Sequence, residues 1–228
     1  MSHPTLLVVA KAPVAGQAKT RLATNTGYEE SARLAAASLL DTLEVVASLG
    51  RPVVVAMTGD LGRAPRGEEI RQALRLHRVV AQRGDDFASR LVAAHADADA
   101  GSGVVQVGMD TPHLDADVLR AASDALHDHD AALGLAEDGG WWLLAVRTPE
   151  LARCLADVPM SSPDTGAATE AALVAAGATV AHVTPMRDVD TWEDALEVAR
   201  LAPGTRFAAE MQDAIALARD VSAREGSQ

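Results

Sequence analysis

The 228-residue chain holds one cysteine, six aromatic residues and two lysines, and each shortage removes a class of explanation. With Cys154 alone, no disulfide within the chain and no multi-cysteine zinc site can form, so Cys154 reads as a buried thiol in a reduced compartment. No stretch approaches the ~18 uninterrupted apolar residues of a membrane span. Residues Met1–Thr5 also lack the basic, then apolar, then small order of a secretory signal, so a cytoplasmic location is expected. Basic charge is scarce too. A formal net charge of −12 speaks against a nucleic-acid partner, which would want a basic face for phosphate.

What is present fits a packed enzyme-sized domain. The chain is 48% hydrophobic and 23% charged, and its length suits one large domain under a soft prior of roughly 100–200 residues each. Charge is unevenly spread: residues 1–90 carry 12 Arg/Lys against 9 Asp/Glu, whereas residues 91–228 carry 8 against 23. A basic first part beside an acidic remainder suits an anionic ligand held together with a cation.

Short apolar runs at Thr5–Ala10, Val53–Met57 and Val104–Val107 read as buried strands, and Glu29–Ser48 and Asp85–Ala98 read as helices between them. A helix from Asp115 to about Leu126 follows, then strands at Ala131–Leu135 and Trp141–Val146 around an EDGG turn. Beyond a looser stretch from Pro149 to Gly166 come a helix near Thr169–Ala176, a strand near Thr179–Val183 and a helix from Thr191 to about Leu201. Phe207, Met211, Ile215, Ala218 and Val221 share one face of a final helix. The expectation is an α/β protein in three layers, α/β/α, around a mostly parallel mixed sheet. Ligands on such sheets bind beyond the carboxyl ends of the strands, which directs attention to the loops after the first and fourth runs.

The loop after the first strand reads KAPVAGQAKTRL. The chain has 18 arginines, and both of its lysines, Lys11 and Lys19, lie in this loop. A compact ammonium can sit against one phosphate oxygen where a planar guanidinium would not fit, so Lys11, Lys19 and Arg21 are candidate phosphate contacts. Gly16 would let the backbone approach the ligand. The plain alternative is a solvated basic turn. If these side chains face solvent, truncating Lys19 or Arg21 should change stability by no more than roughly 0.5 kcal/mol.

Two carboxylates are candidate ligands for Mg²⁺ or Mn²⁺: Asp110, just past Val104–Val107, and Asp190 in DVDTWED, where a helix cap is the alternative. Sharing one ion, they should lie within about 7 Å of each other. In EDGGWW, Trp141 and Trp142 could form a wall against a sugar or base beside Asp138 and Gly139, or simply fill the core. Ser161, in SSPDTG, reads as part of an acceptor-side loop. His127 and His129 read as a solvated pair.

Taken in order, KAPVAGQAKTRL (11–22), QRGDDFASRL (82–91), GMDTP (108–112), EDGGWWLLAV (137–146) and DVDTWEDA (188–195) resemble the bacterial glycosyltransferase-like family of selenodomain-associated transferases. That family lies within the nucleotide-diphospho-sugar transferase (GT-A) superfamily. The resemblance implies a GT-A fold with phosphates on Lys11, Lys19 and Arg21, and the metal on Asp110 with Asp190 as second ligand. It also implies a nucleotide contact in the Gln82–Asp86 segment, with Gln82 and Asp85 as candidates. The Asp-x-Asp pair common in metal-binding glycosyltransferases is missing, since Thr111 and Pro112 follow Asp110.

One domain over residues 1–228 is expected, with a nucleotide half to about 112, an acceptor half from about 113 to 205 and a packing helix over about 206–225. The expected chemistry is metal-dependent transfer: a nucleotidyl group passes from a nucleoside triphosphate to a small phosphorylated acceptor, with Lys19, Arg21, Asp110 and Asp138 as the catalytic set. Glycosyl transfer from a nucleotide-sugar, with Asp138 or Glu137 as base, is the alternative. A non-catalytic nucleotide-binding relative is the third reading. The oligomeric state is left open.

Overall fold

The computed structural model describes residues 3–225, with side chains through Leu217. In chain order the elements are β1 (Thr5–Lys11), α1 (Ala23–Thr26), α2 (Tyr28–Ser48), β2 (Val53–Thr58), α3 (Gly67–Leu74), β3 (Arg78–Ala81), α4 (Phe87–Ala98) and β4 (Val104–Val107). There follow α5 (Ala116–Ala125), β5 (Ala131–Ala136), β6 (Trp141–Val146), α6 (Thr165–Ala175), β7 (Val180–Met186), α7 (Trp192–Leu201) and α8 (Arg206–Glu225).

The seven strands form one sheet in the order β3-β2-β1-β4-β6-β5-β7. Only β6 runs antiparallel to its neighbours, β4 and β5. The EDGG turn explains this: it joins β5 to β6 within four residues, too few for the crossover a parallel pair requires.

Residues Thr5–Ala10 of β1 are buried throughout, as a continuous apolar run in a doubly covered sheet demands. Leu6, Val8 and Ala10 pack with α2, α3 and α5 on one face, while Leu7 and Val9 pack with α4, α6 and a 3₁₀ segment at Leu151–Asp157 on the other. A third cluster joins Leu22 and Leu34 to Val189, Val198, Phe207 and Met211, with Ile215 against it. The side chains of Ala218 and Val221, placed on the same face by the sequence, lie outside the described residues.

Several elements differ from the sequence expectation. Neither α3 nor β3 stood out, because β3 is a four-residue edge strand with mostly exposed side chains and no alternation to betray it. The stretch after Pro149 contains the 3₁₀ segment, α6 starts four residues earlier than expected, and β7 continues to Met186. Among the described residues, no helix is long and apolar enough to cross a membrane.

Because the chain passes from β1 outward to β2 and β3, then returns to place β4 on the other side of β1, the carboxyl ends of β1 and β4 border a topological switch point. Loops diverge there and leave a crevice.

Candidate active site

A cleft of about 780 Å³ opens at this switch point. Its floor is tied together locally: the Lys11 N–H donates to Met109 Sδ (3.3 Å), and the Ser38 hydroxyl donates to the Met109 carbonyl (2.6 Å). The Val189 N–H donates to the Asp110 carbonyl at 3.2 Å, which draws the DVDT segment against the end of β4.

Lys19 stands at the centre. Its ammonium lies 2.9 Å from Asp110 Oδ2 and 3.0 Å from Asp190 Oδ1, so the two oxygens are within about 6 Å of each other, with the ammonium where a shared cation would sit; a divalent ion at ~2.1 Å would have to draw them to about 4 Å. Its side chain is only 11% exposed. Burial by itself would lower the Lys19 pKa, but Asp110 and Asp190 outweigh it and hold the pKa above the usual lysine value. Lys19 also has φ +49°, a left-handed backbone that a β-carbon disfavours by roughly 1–2 kcal/mol. The grip of two carboxylates on its side chain is the compensating contact. Arg21, 75% exposed at the mouth, reaches Asp190 Oδ2 at 3.4 Å. Burial pushes the Asp190 carboxyl up, yet Lys19 and Arg21 together bring it below the ordinary carboxylate range.

Asp190 does not cap α7. Thr191 does, accepting from the Asp194 N–H at 3.2 Å, while the Thr191 N–H donates back to Asp194 Oδ2 at 2.9 Å in a capping box. Asp190 therefore remains free for the cleft.

The sequence reading passed over Asp188. Val189, between the two aspartates, is buried in the third apolar cluster, and Asp188 and Asp190 both turn to the cleft. The Thr111 hydroxyl donates to Asp188 Oδ1 at 3.4 Å. Burial, with Asp110 adding to it, pushes the Asp188 carboxyl up to about 7. The period-two spacing of the aspartates around an apolar residue was the available signal.

Other candidates separate into two groups. Lys11, Gln82, Asp138, Trp141 and Ser161 line the cleft with the acidic cluster. The Lys11 ammonium donates to the Gln17 carbonyl of its own loop at 2.8 Å. Gln82 donates both amide hydrogens to strand ends, to Ala10 O at 2.8 Å and Ala56 O at 2.9 Å. Asp138 Oδ1 accepts from the Gly140 N–H at 2.9 Å. Trp141 and Trp142 also border the cleft, and their indole N–H groups donate to Thr169 Oγ1 and Thr184 O, both at 3.1 Å; Trp141 is partly exposed there, whereas Trp142, 2% exposed, is core filler.

Gly16, Asp85 and Gly139 do not line the cleft. Gly16 has φ +74° with nothing near its absent β-carbon, which is turn geometry rather than close approach. Asp85 is exposed beside Asp86, the residue that caps α4. Gly139 has φ +88°, and a β-carbon there would lie 1.9 Å from the Pro163 carbonyl. It lets the EDGG turn pack on the loop that carries Ser161. Glu137 is paired with Arg187 and lines a separate pocket, leaving Asp138 as the turn's contribution to the cleft.

Among the described residues, no three acidic, histidine or cysteine side chains form a group that could enclose a metal by themselves. Asp110 and Asp190 nonetheless suit a hard divalent ion that takes few protein ligands and fills its remaining positions with water and phosphate oxygens.

This fold and the crevice over its switch point define the nucleotide-diphospho-sugar transferase class, a GT-A-like α/β architecture shared by nucleotide-utilising transferases. The chain belongs to the family described as "Uncharacterized protein conserved in bacteria (DUF2064)", whose model matches residues 41–162. It is similar in structure to a candidate nucleotide-diphospho-sugar transferase from Desulfovibrio desulfuricans G20, with a TM-score of 0.83, 27% identity, and coverage of 96% of this chain and 98% of that one. Rv0371c from Mycobacterium tuberculosis H37Rv, solved in complex with manganese, shares the fold at a TM-score of 0.53 and 22% identity, covering 86% of this chain and 97% of that one. CMP:2-keto-3-deoxy-manno-octonic acid synthetase, solved with CTP, shares it at 0.55 and 15% identity, covering 88% and 99%. No protein of curated function matches the sequence.

Proposed function

We propose that this chain is a divalent-metal-dependent nucleotidyltransferase acting on a nucleoside triphosphate and a small phosphorylated acceptor. The observation that carries the reading is the Lys19 ammonium held between Asp110 and Asp190 at the switch point. An oxygen of the acceptor attacks the α-phosphorus, a new P–O bond forms, the α–β anhydride bond breaks, and pyrophosphate departs. No protein nucleophile is needed, so the chain's task is to position the reactants and to stabilise charge.

Asp110 and Asp190 would hold Mg²⁺ or Mn²⁺, which when bound supplies charge neutralisation to the departing phosphates. Lys19 has three N–H donors, two of which meet carboxylates, and the third serves a phosphate oxygen. Arg21, exposed at the mouth, and Lys11 meet the outer phosphates by turning from the contacts they now make. Burial and the charge of Asp110 raise the Asp188 pKa, and a bound cation would draw it back toward the carboxylate. Asp138, Trp141 and Ser161 serve the acceptor side. The chain folds as one domain of two functional halves, nucleotide over the first and acceptor over the second. Manganese in Rv0371c and CTP in the octonic acid synthetase agree with this assignment of ligands.

Glycosyl transfer from a nucleotide-sugar is the second reading. It is favoured by Asp138, which lines the cleft with one oxygen pinned by Gly140 and the other available as a base, and by the likeness to the Desulfovibrio candidate sugar transferase. Product analysis separates the two. With nucleoside triphosphates, candidate acceptor phosphates and Mg²⁺, the expected product is pyrophosphate, lost in Asp110→Asn. Nucleoside diphosphate released from a nucleotide-sugar, with no pyrophosphate from any triphosphate, would make glycosyl transfer the function instead.

A further inference from the structure

β4 reads VVQV, and Gln106 is the polar member of a strand whose three valines are at most 1% exposed. Gln106 is itself 3% exposed. Along β4, Val104 and Gln106 face α4, and there Gln106 meets His95, which is completely buried. His95 Nε2 lies 2.8 Å from Gln106 Oε1.

The proton in this contact can be placed. Burial keeps the imidazole neutral, its pKa pushed down to about 4 although the bond to Gln106 pulls the other way. His95 Nδ1 is buried without a partner. A buried N–H without an acceptor is costlier than a bare ring nitrogen, so the hydrogen sits on Nε2 and is donated to Gln106 Oε1. The Gln106 carboxamide is thereby oriented, with its NH₂ on the side away from His95. That nitrogen makes no hydrogen bond among the described residues, yet it is not one of the sealed polar atoms lacking a partner, and Gln106 lines the cleft.

On the sheet face that Gln106 shares with Val104, Val9 and the partly buried Trp141 and Met160 belong to one apolar cluster and also line the cleft, as does the exposed Phe87. Arg90, a cleft-lining cation carried by the same helix as His95, gives its Nε–H to the Gly84 carbonyl at 3.2 Å.

We propose that Gln106 is a substrate-reading residue, donating its amide N–H to an uncharged oxygen of the bound substrate, and that His95 is the positioning residue that aims it. The oxygen is a carbonyl of the nucleobase or a hydroxyl of a sugar, both neutral acceptors, rather than a phosphate. The inference rests on the cleft being the nucleotide site.

Three variants test it by calorimetric titration, with ATP, GTP, CTP, UTP, UDP-glucose and GDP-mannose as ligands and Mn²⁺ present. Gln106→Met leaves the His95 N–H unpaired and should lower the melting temperature. The double variant His95→Leu/Gln106→Met replaces both partners by apolar groups of similar shape and should recover much of it. Gln106→Glu keeps an acceptor for His95 and replaces the amide donor by a buried carboxyl, so its affinity is measured above neutral pH, where ionisation leaves it no donor, and its melting temperature is read alongside. Affinity for the ligand that wild type binds best should fall roughly tenfold in all three, including those whose melting temperature is restored. A loss seen with the free triphosphate assigns the oxygen to the nucleoside, and a loss confined to the nucleotide-sugars assigns it to the sugar. Unchanged affinity in the double variant and in Gln106→Glu would reduce the pair to core structure and overturn the inference alone. Failure of wild type to bind any of the ligands would overturn the transferase reading along with it.

Discussion

The charged end of the site is Lys19 among Asp110, Asp188 and Asp190, and its neutral end is the pair of His95 and Gln106, buried beside valines. Both are polar groups removed from water, but they respond differently to a ligand. The charged end is a balance of opposed terms: the same carboxylates that raise the Lys19 pKa repel one another, and burial drives Asp188 toward its neutral form. An arriving cation or phosphate redistributes those charges. The neutral end has fixed hydrogen-bond roles, so it can select among ligands without contributing charge to their chemistry.

The largest effect expected from breaking this contrast is at Asp110. Asp110→Asn removes a charge from the metal pair while keeping its size, and turnover should fall on the order of 10²–10³-fold, with Mn²⁺ binding by calorimetry weakened in parallel. A fall of a few-fold would make Asp110 a partner of Lys19 and nothing more.

Lys19→Met comes next. The sequence expectation that truncating Lys19 would leave stability almost unchanged assumed a solvent-facing side chain, which Arg21 has and Lys19 does not. Loss of the ammonium leaves two partly exposed carboxylates facing one another, with only Arg21 still on Asp190, and should cost about 1 kcal/mol in urea unfolding. Wild-type stability in that variant would mean the carboxylates are hydrated well enough to need no counter-charge.

The neutral end predicts a pH effect of known sign. The folded-state pKa of His95 is lowered to about 4, below the usual 6.5, so between those values the unfolded chain binds more protons than the folded one. The stability His95 confers by staying neutral is fully present above about 6.5 and is lost as pH falls toward 4. Asp188, with its pKa raised to about 7, contributes a slope of the opposite sign over the same window, so the rise is read as a difference: from pH 4 to 7, wild type should gain stability in urea unfolding relative to His95→Leu/Gln106→Met. A difference that does not change with pH would place the titrating group elsewhere.

The smallest effect belongs to Lys11. Its ammonium is exposed and bonded only within its own loop, so Lys11→Ala should change unfolding free energy by no more than about 0.5 kcal/mol while weakening triphosphate binding measurably.

How far the sequence disclosed this arrangement follows from what sets each feature. The runs of β1, β2 and β4 were legible because strands buried on both faces need continuous apolar residues, and the EDGG turn announced the hairpin that reverses β6. Edge strand β3 needs no such run and left no trace. The Lys19, Asp110 and Asp190 segments were each marked locally, by lysine usage in an arginine-rich chain and by position beyond strand ends. Asp188 was passed over because its burial depends on how β7 exits toward α7, which no local pattern encodes. Gly139 drew attention as part of the turn, though its role is set by a contact with Pro163, 24 positions away. Gln106 was concealed by the regularity of its neighbours, and its significance appears only once α4 brings His95 against it.

The most direct test of the account is a comparison of nucleoside triphosphate with the matching diphosphate by titration calorimetry, with and without Mn²⁺, in wild type and Asp110→Asn. The account predicts tighter binding of the triphosphate, a preference that Mn²⁺ enlarges and Asp110→Asn abolishes. Equal or weaker triphosphate binding, indifferent to Mn²⁺ and to Asp110→Asn, would contradict it.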